Sequence, residues 1–266
     1  MALPLALQLY SLREDAQEDL VGVLKRVAAM GYKGVEFAGT YGNDPAEIAA
    51  VVTDLGMVCV SGHMGAPTAD TIGQVVDEAK ALGLSFVVGG GGPPDYADAD
   101  AIKAIAERFA VAVELLEPHG LKFGMHNHWW EFDHQVDGQC PHDLMMAQAG
   151  GAFAQIDICW AAFGGDDPVD AITRNAGRVD LIHVKDSSLE RNDEGHPATP
   201  HTAVGEGKVD IAGSIAAAET AGTAWAIVEL DNCATDMEEA VRKSAVYLLG
   251  NGLCEGNAPS CGCGCS

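Results

Sequence analysis

Short apolar runs alternate with longer amphipathic segments eight times in succession along this chain. Parallel strands must be joined by long crossovers, usually helices, so the alternation specifies a parallel sheet wound with helices. The runs at residues 5–9, 34–38, 57–61, 85–88, 121–126, 153–158, 179–184 and 225–230 read as strands. Helices are expected at 17–30, where Leu20, Val23, Leu24 and Val27 share a face, and from Asp44-Pro45 onward. Others are expected at 68–82, 98–116, near 142–149, and at 167–175, 210–221 and 237–249. Asp44-Pro45 and Asp167-Pro168 each pair an N-cap with the residue best suited to a first helical turn. Eight such units suit a closed (β/α)8 barrel better than a doubly wound sheet, and 266 residues is near the roughly 250 typical of that barrel. No linker interrupts the series. The expected fold class is therefore α/β, a single TIM barrel domain over residues 1–252, followed by an irregular Gly/Cys-rich tail at 253–266.

Hydrophobic residues make up 48 % of the chain, enough for a large core, and 32 glycines with 11 prolines supply its turns. Thirty-nine acidic residues against fifteen basic ones leave a net charge of -24. Nucleic acids and anionic membranes are bound through concentrated basic surface, so neither is an expected partner. The N-terminal MALPLALQLYSLRED has no basic n-region and only a short apolar run, unlike a signal peptide or a membrane span, and a cytoplasmic location is the expectation. Cys59, Cys140, Cys159 and Cys233 are scattered singly, as reduced, buried thiols would be. Cys254, Cys261, Cys263 and Cys265 fall in the tail LCEGNAPSCGCGCS, whose CxCxC pattern is too sparse to define a soft-metal site.

A closed barrel carries its chemistry at the C-terminal ends of its strands. Ionisable residues gather there: Glu36 ends the second strand in GVEFAG, His63 follows the third in SGHMG, and His126 ends the fifth. Asp157 ends the sixth in QIDICW, His183 with Lys185 and Asp186 ends the seventh in LIHVKD, and Glu229 ends the eighth in IVELD. Each adjoins an apolar run, where a charge is excluded unless paired or metal-bound. The densest stretch is LKFGMHNHWWEF, in which strand alternation puts His126 and His128 on one face and Asn127 on the other. Mixed imidazole and carboxylate donors suit one divalent metal ion. Mn²⁺, Co²⁺, Zn²⁺ and Fe²⁺ are all compatible, and Mg²⁺ suits two imidazoles less well. The glycines at 89–92 precede Pro93-Pro94 without the lysine and helix of a P-loop. They are a plain turn or a close-approach surface for a sugar or phosphate.

The segments GVEFAGTYG, GMHNHWWEF, QIDICWAAFGGDDP, LIHVKD, VGEGKVD and IVELD together resemble the xylose isomerase-like TIM barrels, the sugar phosphate isomerases/epimerases, over about residues 4–250. In relatives such as the tagatose 3-epimerases, one metal is held by Glu, Asp, His and Glu from strands five to eight. The resemblance places Asp157, His183 and Glu229 on the last three positions. His126 falls on the first, because the usual Glu-Asn-His reads His-Asn-His here. In those relatives the two glutamates also carry protons on opposite faces of the substrate. The exchange for His126 breaks that symmetry and turns attention to His128 or Glu36 as a base. The apurinic endonucleases, also similar, need three zinc ions. Gly89 or a neighbour, and Trp160, stand where they carry histidines.

The function implied is a divalent-metal-dependent sugar or sugar phosphate isomerase/epimerase, which abstracts a proton next to a carbonyl through a metal-stabilised enediolate. His128, Glu36 and Glu229 are the candidate bases, and Lys185, on the same strand face as His183, is a candidate to stabilise the enediolate. Trp129, Trp130 and Trp160 offer an aromatic wall for the C–H face of a sugar, His63 a hydroxyl contact, and Glu131 is a candidate to orient His128 or to bind substrate. Phe37, Tyr10 and Trp225 are expected in the core. A metal-dependent lyase or dehydratase acting on a keto-sugar or 3-keto-glycoside is an open alternative, as is a non-catalytic sugar-binding barrel. The expected partner is a small-molecule sugar or sugar derivative, and a homo-oligomer stays open.

Overall fold

The eight expected strands form, each with both ends within two residues of the sequence reading. They are β1 (Leu3–Gln8), β2 (Gly34–Phe37), β3 (Val58–His63), β4 (Phe86–Gly89), β5 (Lys122–His126), β6 (Phe153–Asp157), β7 (Leu181–Val184) and β8 (Trp225–Val228). The computed structural model describes residues 2–257. Every strand pairs in parallel with its sequence neighbours, and β1 pairs with both β2 and β8, so the sheet closes into an eight-stranded barrel. The helices around it are α1 (Arg13–Ala29), α2 (Pro45–Asp54), α3 (Ile72–Leu82), α4 (Ala99–Leu116), α5 (Pro141–Gln148), α6 (Ile158–Gly164), α7 (Pro168–Arg174), α8 (Ile211–Ala221) and α9 (Met237–Gly250).

Local chemistry explains most of their ends. In α4, Ile102, Ile105, Ala106, Phe109, Ala112 and Leu116 make a continuous buried stripe at helical spacing. The side chain of Asp98 accepts the backbone N–H of Ala101 at its start. Helix α1 begins four residues before the expected position and kinks at Asp19, whose carboxylate re-caps the chain by accepting the Gly22 N–H. Helix α6 was not expected: ICWAAFG is apolar all round and so lacks a helical period. It forms because Asp157 caps it and Gly165, in a left-handed conformation, ends it.

Strand alternation sorts the barrel into two shells. Leu5, Leu7, Val35, Phe37, Val87, Phe123, Met125, Ile156, Ile182 and Val228 face the helices and belong to the main core. Ala6, Val60, Val88, Phe153, Leu181 and Ile227 face inward, with Phe86 and Trp225 against them, and fill the lower barrel. Two glycines make room for these rings. A Cβ on Gly124 would stand 2.2 Å from the Phe153 ring, and one on Gly34 would stand 2.6 Å from Val60 Cγ2. Above this apolar floor the inward residues turn polar, beginning with Gln8, Glu36, Ser61 and Gln155.

Some expectations are corrected here. Tyr10 is 41 % exposed rather than core. Cys59 and Cys159 are buried free thiols, whereas Cys140 and Cys233 are half-buried. The segment expected to be irregular from residue 253 begins with a two-residue strand, β9 (Cys254–Glu255), paired with Leu3 and Pro4 at the base of the barrel. Cys261, Cys263 and Cys265 lie outside the described residues. Among the described residues no helix is long and apolar enough to cross a membrane.

Candidate active site

The polar upper layer is built around His183, which β7 delivers to the barrel axis with no exposed surface. Its Nε2 lies 2.6 Å from Glu36 Oε1 and its Nδ1 lies 2.9 Å from Glu229 Oε2. Burial alone would lower its proton affinity, but the two carboxylates outweigh burial and raise its pKa to about 10. It is therefore an imidazolium donating from both nitrogens. Glu36 also accepts from Gln8 Nε2 at 2.7 Å, Ser61 Oγ at 2.6 Å and Gln155 Nε2 at 2.7 Å, and lies 3.1 Å from His63 Nε2. Burial opposes its ionisation, yet the His63 and His183 rings hold its pKa well below the ordinary carboxylate value. A fully buried carboxylate with this many partners has no lone pair to offer a substrate. Glu36, expected as a base, is instead engaged with His183 and four other side chains.

Lys185 is the second buried cation. Its ammonium lies 2.9 Å from Glu229 Oε2, 2.9 Å from Asp231 Oδ2 and 3.1 Å from Asp157 Oδ2. Asp157 serves two ends at once, since Oδ1 caps α6 through Trp160 N at 2.8 Å while Oδ2 has no aligned hydrogen-bond donor. Asn127, pointing away from its histidine neighbours as alternation requires, locks the Asp157 backbone: its Oδ1 accepts Asp157 N at 2.9 Å.

His126, Asp157, His183 and Glu229 each present a donor atom, and these atoms all lie within 4.8 Å of one another. The set fits a divalent cation on three grounds. Asp157 Oδ2 is a buried acceptor with the Lys185 ammonium 3.1 Å away but no aligned hydrogen bond. His126 is neutral, because burial and the surrounding imidazoles press its pKa well down. The four carboxyl side chains Glu36, Asp157, Glu229 and Asp231 also outnumber the two cationic side chains His183 and Lys185 that they contact. Binding would require His183 Nδ1 to exchange its proton for the ion. His63, His126 and His183 form a second close group, with Gln155 Oε1 bridging His63 at 2.9 Å and His126 at 3.1 Å.

Beside this cluster lies a cavity of about 530 Å³ walled by Trp129, Trp130, Trp160, His128, His201 and Asp231. His128 stacks on Trp130 at 4.2 Å between ring centroids. Its pKa is lowered to about 4, chiefly by burial and then by the Lys185 charge, so the ring is neutral. His128 Nδ1 and the Nε1 atoms of Trp130 and Trp160 are buried without partners. Glu131 does not face this space. It is fully buried, its Oε2 accepts the backbone N–H of His128 at 2.9 Å, and burial raises its pKa well above the usual value. Glu131, expected to orient His128 or bind substrate, is an internal acid that closes the turn after β5 by holding the His128 backbone. His63, its side chain 26 % exposed, lines a separate cavity of about 500 Å³.

One residue, His201, and the role of another, Asp186, escaped the sequence reading. His201, in the long β7–α8 loop, packs edge-on against Trp160 at 5.0 Å and accepts Asp231 N through Nδ1 at 3.2 Å. Asp186 ties that loop together. Its carboxylate accepts the backbone N–H groups of Ser187, Gly205, Gly207 and Val209. A Cβ on Gly207 would stand 2.1 Å from Asp186 Oδ1, which is why LIHVKD and VGEGKVD belong together in space. No signal in irregular sequence marks either residue, beyond the aspartate's position one residue after a strand-end lysine.

The chain over residues 24–249 matches the model of the xylose isomerase-like TIM barrel family. Among curated proteins none matches. A solved sugar phosphate isomerase/epimerase from Parabacteroides distasonis ATCC 8503 is similar at 23 % identity and TM-score 0.79, with 96 % of each chain covered. The probable 3-DHS dehydratase AsbF from Bacillus anthracis is similar at 14 % identity and TM-score 0.72, over 94 % of this chain and 99 % of that one. The IOLI protein with a bound zinc atom is similar at 14 % identity and TM-score 0.72, over the same shares, 94 % and 99 %. These likenesses establish the fold, and the family model, which spans most of the barrel, establishes the kinship. This chain belongs to the xylose isomerase-like TIM barrel family.

Proposed function

We propose that this protein is a divalent-metal-dependent sugar isomerase or epimerase that moves a proton on the carbon next to a carbonyl. The observation that carries the reading is the convergence of His126, Asp157, His183 and Glu229 within 4.8 Å at the mouth of the barrel. These four would hold the cation, and Mn²⁺, Co²⁺, Zn²⁺ or Fe²⁺ all suit the donor set. When bound, the ion supplies the Lewis acidity that polarises the carbonyl and balances the charge left by proton removal. The zinc in the IOLI structure and the isomerase/epimerase description of the Parabacteroides protein support this reading.

The chain's own groups divide the remaining work. His183 and Lys185 both meet Glu229 at Oε2, which leaves Oε1, on a side chain with 7 % exposure, as the atom that takes the proton. Lys185 stabilises negative charge beside that carboxylate. Neutral His128 faces the same space, and its unpartnered Nδ1 passes a proton or holds a hydroxyl. Trp129 and Trp160 wall the cavity where a sugar's C–H face would rest. His126 stands where a second proton-carrying carboxylate would be needed for a two-base epimerisation. Its presence favours transfer along one face, as in aldose–ketose isomerisation. The same abstraction followed by loss of a β-substituent would make the protein a lyase, in keeping with the dehydratase that shares its fold.

Metal analysis of the purified protein, followed by NMR in D₂O with ketoses and keto-glycosides, tests the reading. Solvent deuterium in recovered sugar supports isomerisation, and an unsaturated or cleaved product supports elimination. His183→Ala and Glu229→Gln are expected to lose both bound metal and turnover. If both variants keep both, the assignment fails.

A further inference from the structure

Resting on the isomerase reading, we propose that the substrate is an unphosphorylated, uncharged sugar and that this site rejects phosphate esters. Barrels of this architecture commonly bind phosphate with the loops after strands seven and eight and with a helix N-terminus there, where free backbone N–H groups meet the anion. In this chain those donors are already spent on its own carboxylates. After β7, Ser187 N, Gly205 N, Gly207 N and Val209 N donate to Asp186 at 2.9, 3.0, 2.9 and 3.1 Å. The start of α8 is taken by Asp210, which accepts Gly213 N at 2.9 Å, and the start of α9 by Asp236, which accepts Glu239 N at 2.8 Å. The start of α6 is taken by Asp157. Even the glycine turn after β4 is filled, since Gly92 N donates to Asp95 Oδ2 at 2.9 Å.

Arg13 and Arg242 line a further cavity, of about 570 Å³, after β8 and β1, but five acidic residues line it with them. The tryptophan-walled cavity has neither lysine nor arginine in its lining, and Asp231 brings an acid to it. The cavity beside His63 has no basic residue either. Helix α3 starts there without a side-chain cap, but Glu78 lines the same space. Lys185, the ammonium nearest the reacting centre, has no exposed surface and sits among three carboxylates. A phosphate dianion would thus arrive beside like charge, which disfavours its binding. What the cavity does offer is uncharged: the indole rings of Trp129, Trp130 and Trp160, and neutral His128. These are partners for hydroxyl groups and C–H faces.

The test uses the Mn²⁺-loaded protein and a panel of ketohexoses and ketopentoses, each paired with its own terminal phosphate ester. Quenching of tryptophan fluorescence reads binding, and deuterium uptake from D₂O reads reaction. At least one neutral sugar is expected to bind about 100-fold more tightly than its ester, with an affinity that changes less than about twofold between low and high salt. Binding of neutral sugars without deuterium uptake upholds the inference while defeating the isomerase reading. An ester that binds as tightly as its sugar, or that alone takes up deuterium, overturns the inference and, in the second case, leaves the isomerase reading standing. Failure of every neutral sugar to bind also overturns it.

Discussion

Replacing Glu36 by glutamine keeps the shape of the side chain and removes the charge that His183 leans on. The rise of His183 from 6.5 to about 10 is worth about 5 kcal/mol at 1.36 kcal/mol per pH unit, shared between Glu36 and Glu229. Glutamine also turns an amide NH₂ toward a site where Gln8, Ser61, Gln155 and His183 all donate, so at least one donor faces another. Breaking a buried ion pair on one side typically costs about 3–5 kcal/mol, and that is the expected loss for Glu36→Gln at pH 6.5. The pH dependence carries a second signature. Because the folded protein holds the His183 proton more tightly than the unfolded chain, this stabilisation is complete below pH 6.5 and is lost as pH rises through about 10. Urea unfolding of the chelator-treated protein at fixed salt, from pH 6.5 to 10, is expected to show stability falling with pH in the parent and a shallower fall in the variant. A variant within about 1 kcal/mol of the parent at pH 6.5, with an unchanged slope, would refute the account of Glu36 as the buried counter-charge.

Three further outcomes are expected. Asp186→Ala strips the acceptor from four backbone amides, and a loss of about 2–3 kcal/mol with faster proteolysis within residues 188–209 is anticipated; unchanged cleavage would show that the loop holds itself. Gly124→Ala drives a methyl into the Phe153 ring and is expected to cost about 1–3 kcal/mol by thermal unfolding, with recovery when Phe153→Leu is added; equal loss with and without the second change would rule out this contact. The His128 imidazole is expected to titrate near pH 4 in NMR spectra of the metal-free protein, and a midpoint near 6.5 would mean that its ring is solvated.

The strand-end residues were legible because a period of two is enforced by covalent geometry: once β7 was placed, His183 and Lys185 had to share a face. The same rule put His126 inside the barrel and turned Asn127 outward onto the Asp157 backbone. Roles were harder to read than positions. Glu36 and Glu131 are both buried acids near histidines, and only three-dimensional packing tells that the first holds a ring from behind while the second binds a backbone N–H. Gln8, Ser61 and Gln155 were passed over because uncharged polar residues in apolar strands carry no signal until a shared acceptor is seen. His201 lies in a loop without periodicity, and α6 hides in an apolar run whose helical start depends on a residue also expected as a ligand.

The rings of Phe86, Phe153 and Trp225, with the aliphatic layer above them, stopper the lower end of the barrel, so the polar chamber opens toward the C-terminal ends of the strands. The four donors proposed for the ion are nearly or wholly hidden at the back of that chamber, and the tryptophan-walled space lies in front of them. A cation held by those four donors would then have to enter before a sugar seated in front of them, and the seated sugar would hinder its exit. A chelator would strip the resting protein yet be slowed by saturating substrate.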